Sequence, residues 1–296
     1  MNEFIKHPAN PIYGGPATGT LFDVLVWRDN GRFRMDFSWR PKASLAVAFS
    51  DDGVHWSEPQ ITLAPDPTTG WEDRLNRNCV IKVDGKYKMW YTGQARGYSF
   101  IGYAESDDGL HFTRVGREPV LISERLWEGM SVMNPCVLYE SGIYRMWYAA
   151  GETYEPNVLA YAESRDGVNW EKSRINPIFV KQPGNDYEQD RIGGCQVMNV
   201  PGLGYLMFYI GYRDIHTACI CAALSPDGIT QWKRCKQNPL VVPTPGGWDG
   251  DSCYKPSMLY DEAFGGWRVW YNGRLAHDEY IGEASMPGAL SAEDFA

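Results

Sequence analysis

Short apolar runs separated by glycine-rich turns follow one another along the chain and recur in the same order. One repeat contains CVIKV at 79–83, KYKMWYTG at 86–93 and IGYAES at 101–106. Such runs are rich in Val, Ile, Tyr and Trp and are bounded by Gly, Asp and Pro, which is typical of β-strands and their turns. Ten-residue stretches with the 3.6-residue period of a helix are missing from every repeat. The pattern predicts an all-β protein.

A turn motif sets the length of the repeat. The motif reads SDDGVHW at 50–56, SDDGLHF at 106–112, SRDGVNW at 164–170 and SPDGITQW at 225–232, and a degenerate copy, SMPG, begins at Ser285. Successive copies lie roughly 60 residues apart, so that five units of four strands account for the chain. Four antiparallel strands in a unit of this length describe a propeller blade. We therefore predict a five-bladed β-propeller that forms a single domain over residues 1–296.

The chain ends predict how the ring closes. After SMPG the C-terminus has no aromatic strand of its own, whereas Phe4 near the N-terminus precedes Asn10-Pro11 by the same gap that follows the motif aromatics in other units. Residues from about 2 to 9 should supply the outer strand of the last blade. This overlap would remove an open sheet edge.

The turn motif itself is interpreted as scaffolding. Its aspartate occurs once per unit immediately before glycine, where the side chain can bond its own turn while glycine adopts a positive φ. The motif resembles the Asp-box of sialidases but is one residue shorter between Asp and Gly. The four aspartates concerned are Asp52, Asp108, Asp166 and Asp227.

Charge and cysteine content narrow the functional classes. The 296-residue chain has a net charge of −9 and no basic run, which makes nucleic acid an improbable partner. It has no apolar stretch of membrane-spanning length, and residues 1–11 lack the apolar run that a secretion signal would have. Seven cysteines, several of them in strand-like runs, predict a reduced, cytoplasmic protein. Cys219 and Cys221 share a strand face without further ligands nearby, so the sequence demands no metal or other cofactor, although it leaves room for a metal ion in the axial channel.

Candidate site residues come from the face on which the first strand of each blade begins. Aligning these strand starts puts five residues in one column beside the axis, namely Asp23, Asn78, Asn134, Gly194 and Lys255. Asp23 is the only acid among them. Aromatic-acid pairs also recur upstream of four strand starts, and most of their acids should brace linkers. These acids are Glu72, Glu128, Glu188 and Asp249.

Acids that converge on one axis suggest glycoside chemistry. Cleavage of a glycosidic bond needs one carboxylic acid to protonate the leaving oxygen and a second carboxylate as base or nucleophile. Trp and Tyr suit stacking on sugar faces, and aromatic residues make up 14% of the chain. We expect substrate contacts from charged side chains in the neighbouring loops, namely Asp73, Arg74, Arg77, Arg191, Arg213, His216, Asp251 and Arg274.

The phrases DGKYKMWYTG at 84–93 and IGYAESDDGLHF at 101–112 resemble the five-bladed propeller glycosidases of glycoside hydrolase families 43, 32, 62 and 130. The resemblance implies that Asp23 acts as base or nucleophile and that the acid is one of Glu128, Glu188 and Asp190. The Asn-Asp-Pro, Arg-Asp-Pro and Glu-Cys signatures of family 32 are absent from the sequence. Family 130 includes phosphorylases, in which Arg, Lys and His hold phosphate.

The leading hypothesis is a cytoplasmic glycoside hydrolase that acts on a small oligosaccharide, with no membrane partner. Two alternatives remain open, an inverting phosphorylase of the family 130 kind and a propeller that binds carbohydrate without cleaving it. The sequence leaves the sugar, the linkage, the stereochemical outcome and the oligomeric state undetermined.

Overall fold

The protein is built from β-strands joined by turns, and the computed structural model describes residues 3–152 and 154–295. Within those ranges the helical segments are single 3₁₀ turns at Arg40–Lys42, Pro67–Thr69, Leu126–Glu128, Asp186–Glu188 and Ala292–Asp294. None of the helical segments in these ranges is long and apolar enough to cross a membrane. The all-β prediction is confirmed.

The strands follow the sequence repeat in groups of four. Strand β1 (Ile5–Lys6) comes first in the chain. Unit 1 comprises β2 (Leu21–Asp29), β3 (Arg32–Trp39), β4 (Ser44–Ser50) and β5 (Gln60–Leu63); unit 2 comprises β6 (Arg74–Val83), β7 (Lys86–Ala95), β8 (Tyr98–Ser106) and β9 (Thr113–Arg114); unit 3 comprises β10 (Ser131–Glu140), β11 (Ile143–Glu152), β12 (Glu155–Ser164) and β13 (Glu171–Lys172); unit 4 comprises β14 (Arg191–Val200), β15 (Gly204–Tyr212), β16 (Ala218–Ser225) and β17 (Lys233–Arg234); unit 5 comprises β18 (Ser252–Asp261), β19 (Gly266–Leu275) and β20 (Asp278–Pro287).

Strands within a unit pair antiparallel in chain order. In unit 1, for example, Leu25 of β2 lies opposite Asp36 of β3. Unit 5 takes its fourth strand from the other end of the chain, because Ile5 of β1 lies opposite Ser285 of β20. The sequence predicts this pairing for residues from about 2 to 9, and β1 lies within that segment. Residue 2 lies outside the described ranges.

Aromatic side chains fill the seams between units, which explains the high aromatic content. A ring on the first or second strand of one unit packs against a ring of the next unit, with centroids 5.5–6.3 Å apart. Contacts in this range are favourable for tilted and edge-to-face aromatic pairs. The pairs, in order around the units, are Trp27–Tyr87, Trp90–Tyr144, Trp147–Tyr205, Phe208–Trp267 and Trp270–Phe33.

The SDDG turns also join neighbouring units. In unit 3, Asp166 Oδ1 accepts hydrogen bonds from the backbone N–H groups of Val168 and Asn169, and Gly167 has a φ of +80°. The carbonyl of Gly167 accepts a 2.8 Å hydrogen bond from the Trp90 indole of unit 2. The same bond links Trp147 to Gly228 and Trp270 to Gly53. The turn contacts are structural.

Candidate active site

A bulge interrupts the first strand of every unit at the same place in the ladder. In β2, for example, the pairing with β3 skips from Phe22 to Leu25. The first residue of the bulge has a φ of +48° to +58° in four units, at Asp23, Arg77, Asn134 and Lys255, and in unit 4 it is Gly193. Asp23 is the only acid at these five positions.

The bulge corrects the alignment made from the sequence. The structural equivalents of Asp23 in units 2 and 4 are Arg77 and Gly193, each one residue before the predicted Asn78 and Gly194. A bulge adds one residue to one strand, so an alignment by apolar alternation slips by one there. The correction brings a guanidinium into the column beside the carboxylate of Asp23.

Asp23 is buried and held by three neighbouring side chains. Its backbone N–H donates a 2.9 Å hydrogen bond to Asn272 of unit 5. Its carboxylate accepts a 3.3 Å hydrogen bond from Ser38 and lies 3.7 Å from Arg77 Nε. The side chain of Asp23 is 4% exposed. These contacts fix the orientation of the Asp23 carboxylate, as a catalytic group at this position would require.

A cavity of about 480 Å³ opens where units 1 and 2 meet and is closed by residues of unit 3; its lining includes Phe22 and Arg77, the neighbours of Asp23, but not Asp23 itself. Three of the predicted substrate-contact residues line it, namely Asp73, Arg74 and Arg77. The rest of its wall comes from Phe22, Arg40, Ala43, Asn76, Gln94, Tyr154 and Glu155. A cavity of this size accommodates a small ligand. A larger groove of about 680 Å³ lies at the outer edge of unit 5, near Phe4 and Pro239–Pro245, and contains none of the predicted site residues.

Two arginines present unused donors to this cavity. Arg77 Nη2 donates a 3.2 Å hydrogen bond to the carbonyl of Tyr154, whereas its buried Nη1 has no hydrogen-bond partner among the described residues. The Arg74 guanidinium lies 5.8 Å from the centre of the Tyr154 ring and forms no hydrogen bond or ion pair with the described side chains. Burial alone would lower the pKa of Arg77, but the negative charges of Asp23 and Glu155 raise it above its usual value. The exposed Arg74 guanidinium is therefore a cation available to a ligand, whereas the unpaired Nη1 of Arg77 is buried in the wall of the cavity.

A second acid, Glu279, lies in the same site and has a different environment. The side chain of Glu279 is 10% exposed, and one of its oxygens lies 3.2 Å from Arg40. Burial raises the pKa of Glu279, Arg40 and a hydrogen bond from Tyr254 oppose the rise, and the charge of Asp23 adds to it. The pKa remains above the usual value of glutamate. Glu279 is thus more readily protonated than an ordinary glutamate.

The sequence prediction missed Glu279, although a signal existed. Glu279 pairs with Arg274 at the start of β20, where unit 2 has Ser99 opposite Gln94 and unit 4 has Ala218 opposite Tyr212. An acid in place of these residues breaks the repeat on the face where the first strands begin.

Glu155, at the start of β12, was missed as well. It lines the cavity and its charge acts on Arg77, Tyr212 and Arg191.

Arg274 belongs to the same cluster, whereas its predicted neighbours lie nearer the rim. The Arg274 guanidinium lies 5.7 Å from the centre of the Tyr254 ring and donates a 2.7 Å hydrogen bond to the carbonyl of His216. The side chains of Arg213 and His216 are exposed. Asp251 accepts a 2.6 Å hydrogen bond from the backbone N–H of Ala276 and so holds the loop after β19.

Asp190 and Arg191 form a pair of their own at the start of β14. Arg191 Nε lies 2.5 Å from Asp190 Oδ2. Burial would lower the pKa of Arg191, but Asp190 first and then Glu155 raise it. The pair is connected to the cavity through the charge of Glu155, and Asp190 keeps a third of its side-chain surface exposed.

Glu128 and Glu188 are part of a recurring brace. In unit 4, Glu188 accepts hydrogen bonds from the Tyr209 hydroxyl at 2.5 Å and from Arg234 Nε at 2.8 Å. The side chains of all four acids of this kind are fully buried. Each acid bonds a tyrosine of the second strand and the second residue of the outer strand, in the sets Glu72–Tyr91–Arg114, Glu128–Tyr148–Lys172, Glu188–Tyr209–Arg234 and Asp249–Tyr271–Lys6.

These bonds give no support to the prediction that Glu128 or Glu188 donates a proton to substrate. Burial would raise the pKa of Glu128, but Lys172 and the backbone N–H groups of Glu124 and Arg125 lower it below the usual value. A carboxylate stabilised in its charged form by a buried cation is a poor proton donor.

No group of three or more metal-binding side chains occurs among the residues that the structure describes. The thiols of Cys219 and Cys221 lie 3.8 Å apart and are buried, as the shared strand face predicts. Burial raises the pKa of Cys221 well above its usual value, so the thiol stays protonated.

Comparison with known proteins places the chain in a family. Residues 27–177 match the family described as the glycosyl hydrolases family 32 N-terminal domain. The chain belongs to this family. The match covers half of the chain, and the resemblance to propeller glycosidases inferred from the sequence is confirmed. The enzyme class is accordingly that of glycosidases and glycoside phosphorylases.

Two relatives match the chain over different lengths. An uncharacterized protein of Mycobacterium tuberculosis is 31% identical over 256 residues, which cover 80% of this chain and 82% of the relative. The 1,2-beta-oligomannan phosphorylase of Thermoanaerobacter is 26% identical over 155 residues, covering 51% of this chain and 45% of that enzyme.

A solved structure shows the same fold over nearly the whole chain. Its title states that the GH130 family of mannoside phosphorylases contains glycoside hydrolases that target beta-1,2 mannosidic linkages in Candida mannan. The TM-score is 0.75 at 16% identity, with 98% of this chain and 95% of the other covered. The likeness extends the glycosidase-type fold beyond the part that the family match covers.

Proposed function

We propose that the chain is a single-domain, five-bladed β-propeller enzyme that cleaves a glycosidic bond of a small oligosaccharide. The five units would be the blades, with β1 as the outer strand of the last one. This proposal is supported by the seam contacts between consecutive units, which return from unit 5 to unit 1 through Trp270 and Phe33. A hydrogen bond of 2.7 Å from the backbone N–H of Val26 to Ser257 Oγ joins the first strands of those two units.

The observation that carries the proposed chemistry is the presence of two differently held carboxyl groups in one site. Asp23 is fixed by Ser38 and lies beside the cation of Arg77, so we assign it the role of base or nucleophile. Burial raises the pKa of Glu279, so we assign it the role of proton donor. Glycosidases need such a pair, one group charged and one protonated at the same pH.

In the proposed reaction, Glu279 gives its proton to the glycosidic oxygen as the bond from that oxygen to the anomeric carbon breaks. Asp23 either removes a proton from the attacking water or bonds the anomeric carbon before water replaces it. Arg74, Arg77 and Asp73 then hold the sugar in the cavity between units 1 and 2.

Phosphorolysis is the second candidate function. Arg74 and Arg77 both line the cavity, and two arginines suit a phosphate. The Arg74 guanidinium and the buried Nη1 group of Arg77 have no hydrogen-bond partner among the described residues. The matching oligomannan phosphorylase also favours this candidate. In that reaction phosphate would replace water as the attacking group.

A panel of oligosaccharides tests these assignments. The wild-type protein is incubated with β-1,2-mannobiose and with aryl pyranosides and furanosides, each with and without inorganic phosphate. Release of a free reducing sugar without phosphate supports hydrolysis, whereas a sugar 1-phosphate formed only with phosphate supports phosphorolysis. Saturable binding of a glycan without cleavage in either condition would contradict the proposed function and favour a carbohydrate-binding propeller.

A further inference from the structure

Tyr212, at the end of β15, occupies a position that recurs in four units. The backbone N–H of the residue before each first strand donates a hydrogen bond of 3.0–3.1 Å to the carbonyl of a residue at the end of the second strand. Gln94, at this position in unit 2, lines the cavity, and Arg274, at this position in unit 5, lies against the Tyr254 ring near Glu279. Tyr212 is thus the residue that unit 4 contributes at this level of the site. The four bonds run from Asp73 to Gln94, from Met130 to Gly151, from Asp190 to Tyr212 and from Asp251 to Arg274.

The first strand of unit 4 leaves room for the Tyr212 ring. Its bulge consists of two glycines, Gly193 and Gly194, whereas the bulges of the other units carry side chains. A Cβ at Gly193 would lie 2.8 Å from Cε2 of Tyr212, so a side chain there would clash with the ring. The Tyr212 ring therefore takes the place of a bulge side chain, and the residue is only 7% exposed.

The Tyr212 hydroxyl lies among charged groups from the four other units. Burial raises the pKa of Tyr212, and the charge of Glu155 in unit 3 adds to the rise. The guanidinium groups of Arg77 and Arg274, in units 2 and 5, oppose the rise, and the carboxylate of Asp23 in unit 1 adds to it. The hydroxyl is therefore protonated at neutral pH and able to donate a hydrogen bond. Two carboxylates and two guanidinium groups balance in charge, which favours a neutral, hydroxyl-rich ligand over a phosphate at this point.

The Tyr212 hydroxyl also differs from the tyrosine hydroxyls of the braces. Tyr91, Tyr148 and Tyr209 each donate a hydrogen bond of 2.5–2.9 Å to a fully buried acid. No hydrogen bond to a residue in the described part of the chain uses the hydroxyl of Tyr212. The brace hydroxyls hold the fold together, whereas that of Tyr212 keeps its donor for a molecule that enters the site.

We propose that Tyr212 contacts the substrate directly and donates a hydrogen bond from its hydroxyl to a hydroxyl group of one sugar of the oligosaccharide. The assignment rests on the proposed function. Unit 4 contributes no residue to the lining of the cavity between units 1 and 2, so this sugar is not the one that Arg74 and Asp73 hold. The charge of Asp23 acts on the Tyr212 hydroxyl, and Asp23 is the assigned base or nucleophile. Tyr212 therefore contacts the sugar whose anomeric carbon reacts, and the cavity receives the next sugar of the chain.

Deoxy analogues of the substrate test this contact. The kcat and KM of the wild type, Tyr212→Phe and Tyr139→Phe are measured on the cleaved oligosaccharide and on analogues that each lack one hydroxyl group of the reacting sugar. Phenylalanine keeps the ring over Gly193, and Tyr139→Phe is the control because it removes the hydroxyl of an exposed tyrosine outside the site. Tyr212→Phe should lower kcat/KM by about 10–100-fold, and one analogue should be a similarly poorer substrate for the wild type. On that analogue Tyr212→Phe should lose nothing further, because the hydrogen bond is already missing.

The outcomes separate this contact from the proposed function. Equal kcat/KM values for the wild type and Tyr212→Phe would overturn the contact, and so would losses that multiply on every analogue, since Tyr212 would then act only through the fold. If the wild type binds a glycan without cleaving it, the proposed function fails and the Kd of that glycan decides on the contact. Weaker binding by Tyr212→Phe than by Tyr139→Phe would support the contact, and equal Kd values would overturn it. A wild type that neither cleaves nor binds the glycans of the panel would contradict both.

Discussion

At the scale of single residues, the candidate site contains two carboxyl groups, Asp23 and Glu279, that have different neighbours. Asp23 has a hydroxyl donor and a guanidinium within 4 Å, whereas Glu279 is buried beside a tyrosine and a partly exposed arginine. The charge of Asp23 also contributes to the raised pKa of Glu279. A carboxyl group with a raised pKa beside a second carboxyl group is the arrangement that a proton donor and its partner require.

The raised pKa of Glu279 predicts the alkaline limb of the pH–rate profile. Activity that needs protonated Glu279 is present below its pKa and is lost as the pH rises through that value. Arg40→Gln removes a cation that lowers this pKa, so the alkaline limb should move to higher pH. The measurement is kcat/KM against pH for the wild type and Arg40→Gln on the cleaved oligosaccharide. A limb that stays in place, or moves to lower pH, would show that Glu279 is not the titrating donor.

The same two acids show what residue patterns can and cannot predict. Asp23 was predicted because it is the single acid in a column of repeating positions. Arg77 was named as a substrate contact, but the column was given Asn78 in its place, because bulges are not visible in apolar alternation. Glu279 lies at the start of β20, the third strand of unit 5. Its proximity to Asp23 depends on the contact between units 5 and 1, and a local sequence pattern gives no information on that contact.

At the scale of elements, the acid–tyrosine–cation braces connect three parts of each unit. The acid belongs to the linker before the first strand, the tyrosine to the second strand and the cation to the outer strand. In the set Glu128–Tyr148–Lys172 the acid and the cation are both buried. The sequence predicted that the repeated acids brace linkers. It did not predict their cationic partners, because these lie on short outer strands that have little recognisable sequence pattern.

Removing one partner of a brace should be costly. Lys172→Met leaves the Glu128 carboxylate buried without its cation, and we expect a loss of about 3 kcal/mol in the free energy of unfolding. Lys233→Met removes an exposed lysine from the corresponding outer strand of unit 4 and should change stability by less than about 0.5 kcal/mol. Urea unfolding of both variants checks the difference, and equal stabilities would mean that the brace contributes nothing.

The turn glycines offer a test of the seams between units. Gly167 and Gly142 have φ values of +80° and +82°, so alanine is strained equally at both. A Cβ at Gly167 would lie 2.9 Å from Cζ2 of Trp90, whereas a Cβ at Gly142 has no atom within 4 Å. Gly167→Ala should therefore lower the Tm by several degrees more than Gly142→Ala, since about 1 kcal/mol corresponds to roughly 2–4 °C in a protein of this size. Similar Tm values for the two variants would argue against a tight seam.

At the scale of the whole molecule, the first and last units are joined by several independent contacts. Lys6 of β1 completes the brace of unit 5 as Arg114, Lys172 and Arg234 do in their own units. Trp270 donates to the turn of unit 1 at Gly53, and Asn272 binds the backbone of Asp23. The candidate site is therefore assembled across the junction between the chain ends. A repeat count predicts the all-β units but gives no information on the contacts at this junction.

The central claim is that Asp23 takes part directly in glycosidic bond cleavage. The most direct measurement is the turnover of Asp23→Asn on the oligosaccharide that the wild-type protein cleaves, with Tm recorded for both. The substitution keeps the size of the side chain and its hydrogen bond with Ser38 but removes the charge. We predict that kcat falls by about 10³-fold or more while Tm changes by less than about 3 °C. A kcat within a few-fold of the wild type would contradict the account.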